Sequence, residues 1–245
     1  MRLDIYLIEH GFVKSRSQAQ DLIKRGLVSV NGNVQTKTGY DIQLEVVKLL
    51  EETRFVSRAG EKLLQAIIDF KINMHDKIVV DIGSSTGGFT DCSLQQGAKH
   101  VFAYDVGTNQ MDPSLRMNPN ISLFEQTNIL DVEIPKHDIA LIDVSFTSIK
   151  PIIFHLYSCN EEALCLIKPQ FEAGHIKFKQ GVLKDLKIHK VILKDIIDDV
   201  LSSGYFVHGL KKSELKGKQG NQEYLLYLKK KRNHANIDHM IGSVL

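Results

Sequence analysis

The sequence predicts an α/β protein, built on a mostly parallel sheet of seven strands, with a small α+β unit at its N-terminus. Three observations predict this. From about residue 60, short apolar strand segments alternate with helical periods. One of these strands ends in an acid, Asp81, and runs straight into a glycine-rich turn. Residues 1–48 have a different rhythm and read helix, helix, hairpin.

In the N-terminal unit, Leu3, Tyr6 and Leu7 share one helical face. Ser15 caps a second helix, and Gln18 three residues later completes a capping box. Ala19, Leu22 and Ile23 supply its apolar stripe, and Gly26 ends it. Leu27 to Val30, Asn31-Gly32, then Asn33-Val34 spell a β-hairpin, because a type I′ turn needs positive φ at both central residues. The charged run Lys48–Arg54 separates this unit from the rest, which places a linker at 49–59 and the larger domain at 60–245.

Strands are expected at Lys77–Ile82, His100–Val106, Ile121–Glu125, Ile139–Val144, Ala163–Lys168, Gly204–Leu210 and Glu223–Leu228. Helices are expected at Ser57–Phe70, Thr90–Gln96 and Leu186–Ser202. Only a loop is needed between the last two strands, so they can form an antiparallel hairpin at one edge. Seven strands with such a hairpin form the layout of a Rossmann-like class I methyltransferase.

Composition is that of a soluble globular protein: 245 residues, 43% hydrophobic, 24% charged, net charge +2. That excludes disordered and fibrous classes and gives only slight reason for an anionic partner. Cys92, Cys159 and Cys165 show no C-x-x-C spacing, and the histidines no metal-ligand spacing, so reduced thiols, a cytoplasmic location and no metal are expected. The N-terminal run MRLDIYLIEHGF is too charged for a signal peptide. No apolar stretch reaches membrane-spanning length, so no stable membrane association is expected.

The strongest local signal is Asp81-Ile82-Gly83-Ser84-Ser85-Thr86-Gly87-Gly88-Phe89-Thr90. Strand, acid, glycine turn and helix form a nucleotide-binding crossover, and glycines let the backbone approach a ligand where a Cβ would collide. The spacing departs from G-x-G-x-x-G. An opening carboxylate suits a cofactor carrying an ammonium and a sulfonium, S-adenosylmethionine, better than a dinucleotide pyrophosphate. Asp105 ends the following strand, where a carboxylate can accept ribose hydroxyls. Val106 and Asn128 complete the candidate cofactor set.

Four polar residues distant in sequence are expected on the rim formed by the strands' C-terminal ends: Lys62, Asp143, Lys168 and Glu223. A ribose 2′-hydroxyl must lose its proton as it attacks a methyl carbon, and a lysine can take that proton when a neighbouring cation or partial burial favours its neutral form. Lys168 is the candidate base, Lys62 the neighbouring cation, and the two carboxylates orient the ammonium groups. Singly, each is an ordinary solvated lysine or helix-capping acid; convergence beside the glycine loop favours catalysis.

The sequence resembles the TlyA family, in which an S4 domain is joined to a methyltransferase of the FtsJ class. The matching stretches are SRAGEKL (57–63), VVDIGSSTGGFTD (79–91), AYDVG (103–107), LIDVSF (141–146), LIKPQFEAG (166–174), GVLKD (181–185) and GNQEYLLYL (220–228). The resemblance implies a Lys-Asp-Lys-Glu tetrad at Lys62, Asp143, Lys168 and Glu223, and 2′-O-methylation of cytidine in ribosomal RNA. Members have also been labelled haemolysins. The run TNQMDPSLRMNPN after Asp105 departs from the family pattern. With no extension ahead of the S4-like unit, the large ribosomal subunit is the expected target.

For RNA contact the candidates are Arg2, Lys14, Arg16, Gln18, Lys24 and Arg25, with Arg58 at the domain junction. Asp4, Glu9 and Asp21 dilute this basic face, and the S4 resemblance favours it. The rival readings are a non-catalytic RNA-binding assembly factor, against which the complete tetrad argues, and a membrane-active haemolysin.

Overall fold

The structure, a computed structural model, describes residues 1–13, 15–50, 54–174, 181–217 and 219–245. Lys14 lies outside the described residues. The chain divides into two compact units, Met1–Ser57 and Arg58–Leu245.

In the first unit, α1 (Leu3–Glu9) and α2 (Arg16–Lys24) pack beside a three-stranded antiparallel sheet of order β2-β1-β3, formed by β1 (Val28–Val30), β2 (Asn33–Val34) and β3 (Val47–Leu49). Leu3, Leu7, Ala19, Leu22, Ile23 and Val28 form its core. Ser15 caps α2 by accepting from Gln18 N at 3.2 Å. Asn31 and Gly32 take φ of 49° and 79°, the left-handed pair that a type I′ turn demands. The third strand was not visible as alternation, because Lys48 read as part of a charged run; in β3 it pairs with Ser29.

The second unit opens with α3 (Arg58–Phe70) and is organised by a seven-stranded sheet. In chain order its elements are β4 (Ile78–Ile82), α4 (Gly88–Gln95), β5 (His100–Tyr104), α5 (Pro113–Arg116), β6 (Ile121–Phe124) and β7 (Ile139–Ile142). Then follow α6 (Lys150–Leu156), β8 (Glu162–Ile167), α7 (Pro169–Glu172), α8 (Leu186–Ser202), β9 (Phe206–Lys212), β10 (Tyr224–Lys229) and α9 (Ile237–Ser243). The strand order is β6-β5-β4-β7-β8-β10-β9, with β4 to β8 parallel and β10 antiparallel to both neighbours. This is the Rossmann-like α/β layout of a class I methyltransferase. The expected terminal hairpin exists, with β10 inside it and β9 at the edge.

Residues alternate across the sheet. Val80, Ile82, Ala140, Ile142, Cys165 and Leu226 meet the buried faces of α6, α8 and α9 in one core. Helices α3 and α4 pack together away from that cluster. The chain winds outward from β4 through β5 to β6, then returns to β7 on the other side. The C-terminal ends of β4 and β7 therefore border the point where the winding reverses, the place where ligands bind in such sheets.

Candidate active site

The glycine loop leaves β4 at this reversal point. Gly83 N and Ser84 N both donate to Tyr104 O, at 2.9 and 3.1 Å, which pins the loop to β5. Gly83 has φ +84°, and a Cβ there would lie 2.7 Å from the carbonyl oxygen of Asp143. The loop thus packs directly on the backbone of the residue that follows β7. Ser85 and Gly87 are also left-handed, at φ 47° and 90°, before α4 begins. Gly88 and Phe89 belong to the first turn of α4 and are buried. Thr86 accepts from Asp112 N through its carbonyl at 3.2 Å, so the segment that departs from the family pattern closes over this loop.

Asp81 is fully buried, and Thr90 Oγ1 donates to its Oδ2 at 2.6 Å. Its Oδ1 and the Ser84 hydroxyl are buried with no hydrogen-bond partner among the described residues. Burial pushes the Asp81 carboxyl up to about 7, with the nearby Asp143 charge adding to the rise. A buried acceptor without a partner, beside a loop whose Gly83 tolerates no Cβ, fits the ammonium group of a cofactor with an amino-acid end. Asp105 accepts from Ser85 N at 2.7 Å through one oxygen and from Gly107 N at 2.6 Å through the other. Each oxygen keeps lone-pair capacity toward a ribose. Val106 is exposed, and Asn128 accepts from Leu130 N at 3.2 Å as the cap of a short 3-10 turn.

The four rim residues form two ion pairs. Lys62 Nζ lies 2.5 Å from Glu223 Oε2, and both side chains are buried. Lys168 Nζ lies 2.6 Å from Asp143 Oδ1 and donates to Ser145 Oγ at 2.9 Å. The Asp143 approach is a charge contact without hydrogen-bond angles, so this oxygen keeps unused acceptor capacity. The register explains why the pairs share an edge. Tyr224 opposite Ile167 starts the antiparallel β10–β8 pairing, so Glu223 and Lys168 flank it at the same end.

Some contributors were missed in the sequence. Ser145 was read only as part of a motif, and nothing in spacing marks a serine as a lysine's acceptor. Phe146 is 90% exposed at φ 65°, with its ring 4.9 Å from that of Phe171. An exposed aromatic in a strained left-handed conformation, three residues after Asp143, is a place where a flat ligand can stack. A strand-end sequence conceals it, because the strain is visible only in φ.

The candidate RNA residues fall into two groups. Arg2 donates to Asp4 at 2.9 and 3.1 Å, and Arg16 donates to the same carboxylate at 3.0 Å. Asp4 is completely buried, and the Arg2 guanidinium, aided by Gln20 and Arg16, holds its carboxyl well below the usual range. The acid read as diluting the patch therefore anchors two of its guanidinium groups, each still about half exposed. Lys24 is exposed, Arg25 sits 3.6 Å from Asp21, and Gln18 is engaged through its backbone at the α2 cap. Arg58 opens α3 in the second unit. Among the described residues no group of His, Cys, Asp and Glu could hold a metal, and no helix is long and apolar enough to cross a membrane.

Comparison with known proteins places this architecture. The chain matches the FtsJ-like methyltransferase model over residues 55–230 and the S4 domain model over residues 1–47. It is 41% identical to Hemolysin A of Brachyspira hyodysenteriae over 240 residues, covering 93% of this chain and 99% of that protein. It is 33% identical to the 16S/23S rRNA (cytidine-2′-O)-methyltransferase TlyA of Mycobacterium tuberculosis over 245 residues, covering 96% and 91%. A solved protein from Streptococcus thermophilus, provisionally assigned as a hemolysin, superposes with a TM-score of 0.78 at 35% identity, covering 99% of this chain and 94% of that one. Matched over most of its length by one family model and by relatives that span both units, this chain belongs to the FtsJ-like methyltransferase family and carries an S4 domain at its N-terminus.

Proposed function

We propose that the protein transfers a methyl group from S-adenosylmethionine to the 2′-hydroxyl of a cytidine in ribosomal RNA, with Lys62, Asp143, Lys168 and Glu223 as its catalytic tetrad. One observation carries the reading: two lysine–carboxylate pairs stand at the sheet edge where the glycine loop packs on Asp143. A hydroxyl nucleophile needs a base and a nearby positive charge, and two such pairs offer both. The names of the M. tuberculosis relative and of the S4 domain match support the RNA substrate.

When bound, the cofactor supplies an electrophilic methyl group on a sulfonium. The residues of the chain do the rest. Asp81 and Ser84 offer acceptors to its ammonium end, and Asp105 offers acceptors to its ribose. Lys168, oriented by Asp143 and Ser145, in its neutral amine form takes the proton of the 2′-hydroxyl as that oxygen attacks the methyl carbon. Lys62, fixed by Glu223, supplies positive charge where the oxygen gains negative character. Phe146 and Phe171 offer a face to the base. Alignment of oxygen and methyl in this frame accounts for much of the rate.

The test is methyl transfer from labelled S-adenosylmethionine to ribosomal subunits purified from cells lacking this protein. Label on rRNA ribose is expected, and Lys168→Ala should lower it by roughly 10²–10⁴-fold. Label on neither subunit, with cofactor binding intact, would put the RNA-binding assembly factor ahead.

A further inference from the structure

Helix α8 is charged against its own dipole. Ile192, Leu193, Ile196, Ile197 and Val200 bury its inner face in the core. Its outer face divides by sign. Lys187, Lys190 and Lys194 are exposed along the N-terminal half, and Asp195, Asp198 and Asp199 follow on the C-terminal half. Peptide dipoles favour acids near a helix N-terminus and bases near its C-terminus. Asp185 caps the N-terminus through Lys187 N, at 2.8 Å, but within the helix the first turn holds no acid and the last turn no base. Lys187 with Lys190, and Lys190 with Lys194, are also like-charged neighbours three and four residues apart, an arrangement that destabilises a helix.

Folding accounts for two of the acids, Asp195 and Asp199, but not for these lysines. Lys150 of α6 pairs with Asp195, and with Asp199 at 2.7 Å. Among the described residues, none of Lys184, Lys187, Lys190 and Lys194 has a carboxylate partner. The cationic half is also the half beside the site. His189, in the second turn, shares a hydrogen bond of 2.7 Å with the hydroxyl of Tyr224, the residue next to Glu223. The other ring nitrogen faces Leu183 O at 3.0 Å. Leu183 N in turn donates to Asn221 Oδ1 at 2.9 Å, tying the entry of α8 to the approach of β10.

We propose that Lys184, Lys187, Lys190 and Lys194 form a rail for the phosphodiester backbone of the RNA that flanks the target ribose. The proposal rests on the reading of the chain as an RNA methyltransferase. From Lys187 to Lys194 the rail extends about 10 Å from the site edge, at about 1.5 Å per residue. Its negative partner supplies what the reversed gradient lacks: anionic charge at the positive end of the helix, against lysines that repel one another until it arrives.

The test uses the full chain carrying K187E, K190E and K194E together, with purified ribosomal subunits as the probe. Removing three phosphate contacts should make the dependence of log affinity on log salt shallower by about 2–3. The KM for subunits should rise at least tenfold while kcat and cofactor affinity stay unchanged. The melting temperature should stay close to that of the wild type, because an acid at position 187 gains from the dipole while acids three and four residues apart repel as the lysines did. Should the triple reversal fail to express, K187Q, K190Q and K194Q together should show the same changes at smaller size. Unchanged salt slope and KM in a variant whose wild type binds and methylates subunits would overturn the rail alone. A wild type that binds no RNA would overturn both the rail and the reading beneath it.

Discussion

Asp81 shows how a single residue can be held in a costly state by the fold around it. Its carboxyl is raised from 3.8 to about 7, chiefly by burial. Between those values the folded protein holds a proton that the unfolded chain has released, so this residue's contribution to stability is full below about 4 and is lost as pH rises through 7. The loss amounts to up to about 4 kcal/mol at pH 8. Asp81→Asn keeps an acceptor for Thr90 and removes the charge. It should melt higher than the wild type at pH 8, with the difference vanishing below pH 4, and should bind S-adenosylmethionine at least about tenfold more weakly at pH 8. Wild-type cofactor affinity should fall about tenfold per pH unit below 7, because the ammonium needs the carboxylate form. Calorimetric titration across pH 5.5–8.5 checks both, and a flat profile would remove Asp81 from the cofactor site. In the sequence Asp81 is legible as a strand-end acid, whereas its lone unpartnered oxygen follows only from how the sheet closes around it.

At the scale of elements, the β4–α4 loop owes its shape to the neighbour it touches as much as to its glycines. Gly83→Ala would force a Cβ to within 2.7 Å of the Asp143 carbonyl at a φ of +84°. It should destabilise the protein by more than about 1–3 kcal/mol, since a clash adds to the backbone strain, and should weaken cofactor binding. Gly220→Ala provides the contrast: φ is +89° but nothing lies within 4 Å, so only the strain remains. Equal melting temperatures for the two variants would show that the loop does not pack on β7 as described. The periodic elements were readable because apolar spacing sets them. α8 is an example, with both its expected ends, Leu186 and Ser202, observed. β3 was not readable, because three residues including a lysine carry no pattern until β1 supplies a partner.

At the scale of the whole molecule, the two units have separate cores, one around Leu3, Leu7 and Leu22, the other around the seven-stranded sheet. A fragment of residues 58–245 should therefore fold and keep cofactor affinity within a few-fold of the full chain, yet lose methyl transfer to ribosomal subunits, because the Arg2 and Arg16 guanidinium groups anchored by Asp4 go with the first unit. Titration of the cofactor and labelled transfer, run on fragment and full chain together, check it. A fragment that methylates as well as the full chain would leave the first unit without a part in substrate capture. The strand order does the corresponding work inside the second unit. β10 enters between β8 and β9 in the antiparallel sense, which returns Glu223, late in the chain, to the edge that Lys168 reached.

The sequence by itself determined the α/β class, the helices α1, α2, α3, α4 and α8, the seven strands of the larger sheet, the hairpin turn and the residue types at the site, because these depend on local spacing and on the chemistry each group can perform. Only the tertiary structure decided the pairings: Lys62 with Glu223, Lys168 with Asp143 and Ser145, Asp4 with two arginines, and Lys150 with Asp195 and Asp199 of α8, while among the described residues that helix's lysines have no carboxylate partner. A charge contact acts over a few ångströms, and which charges come that close is set by strand order and helix packing, which bring together residues as far as 161 positions apart.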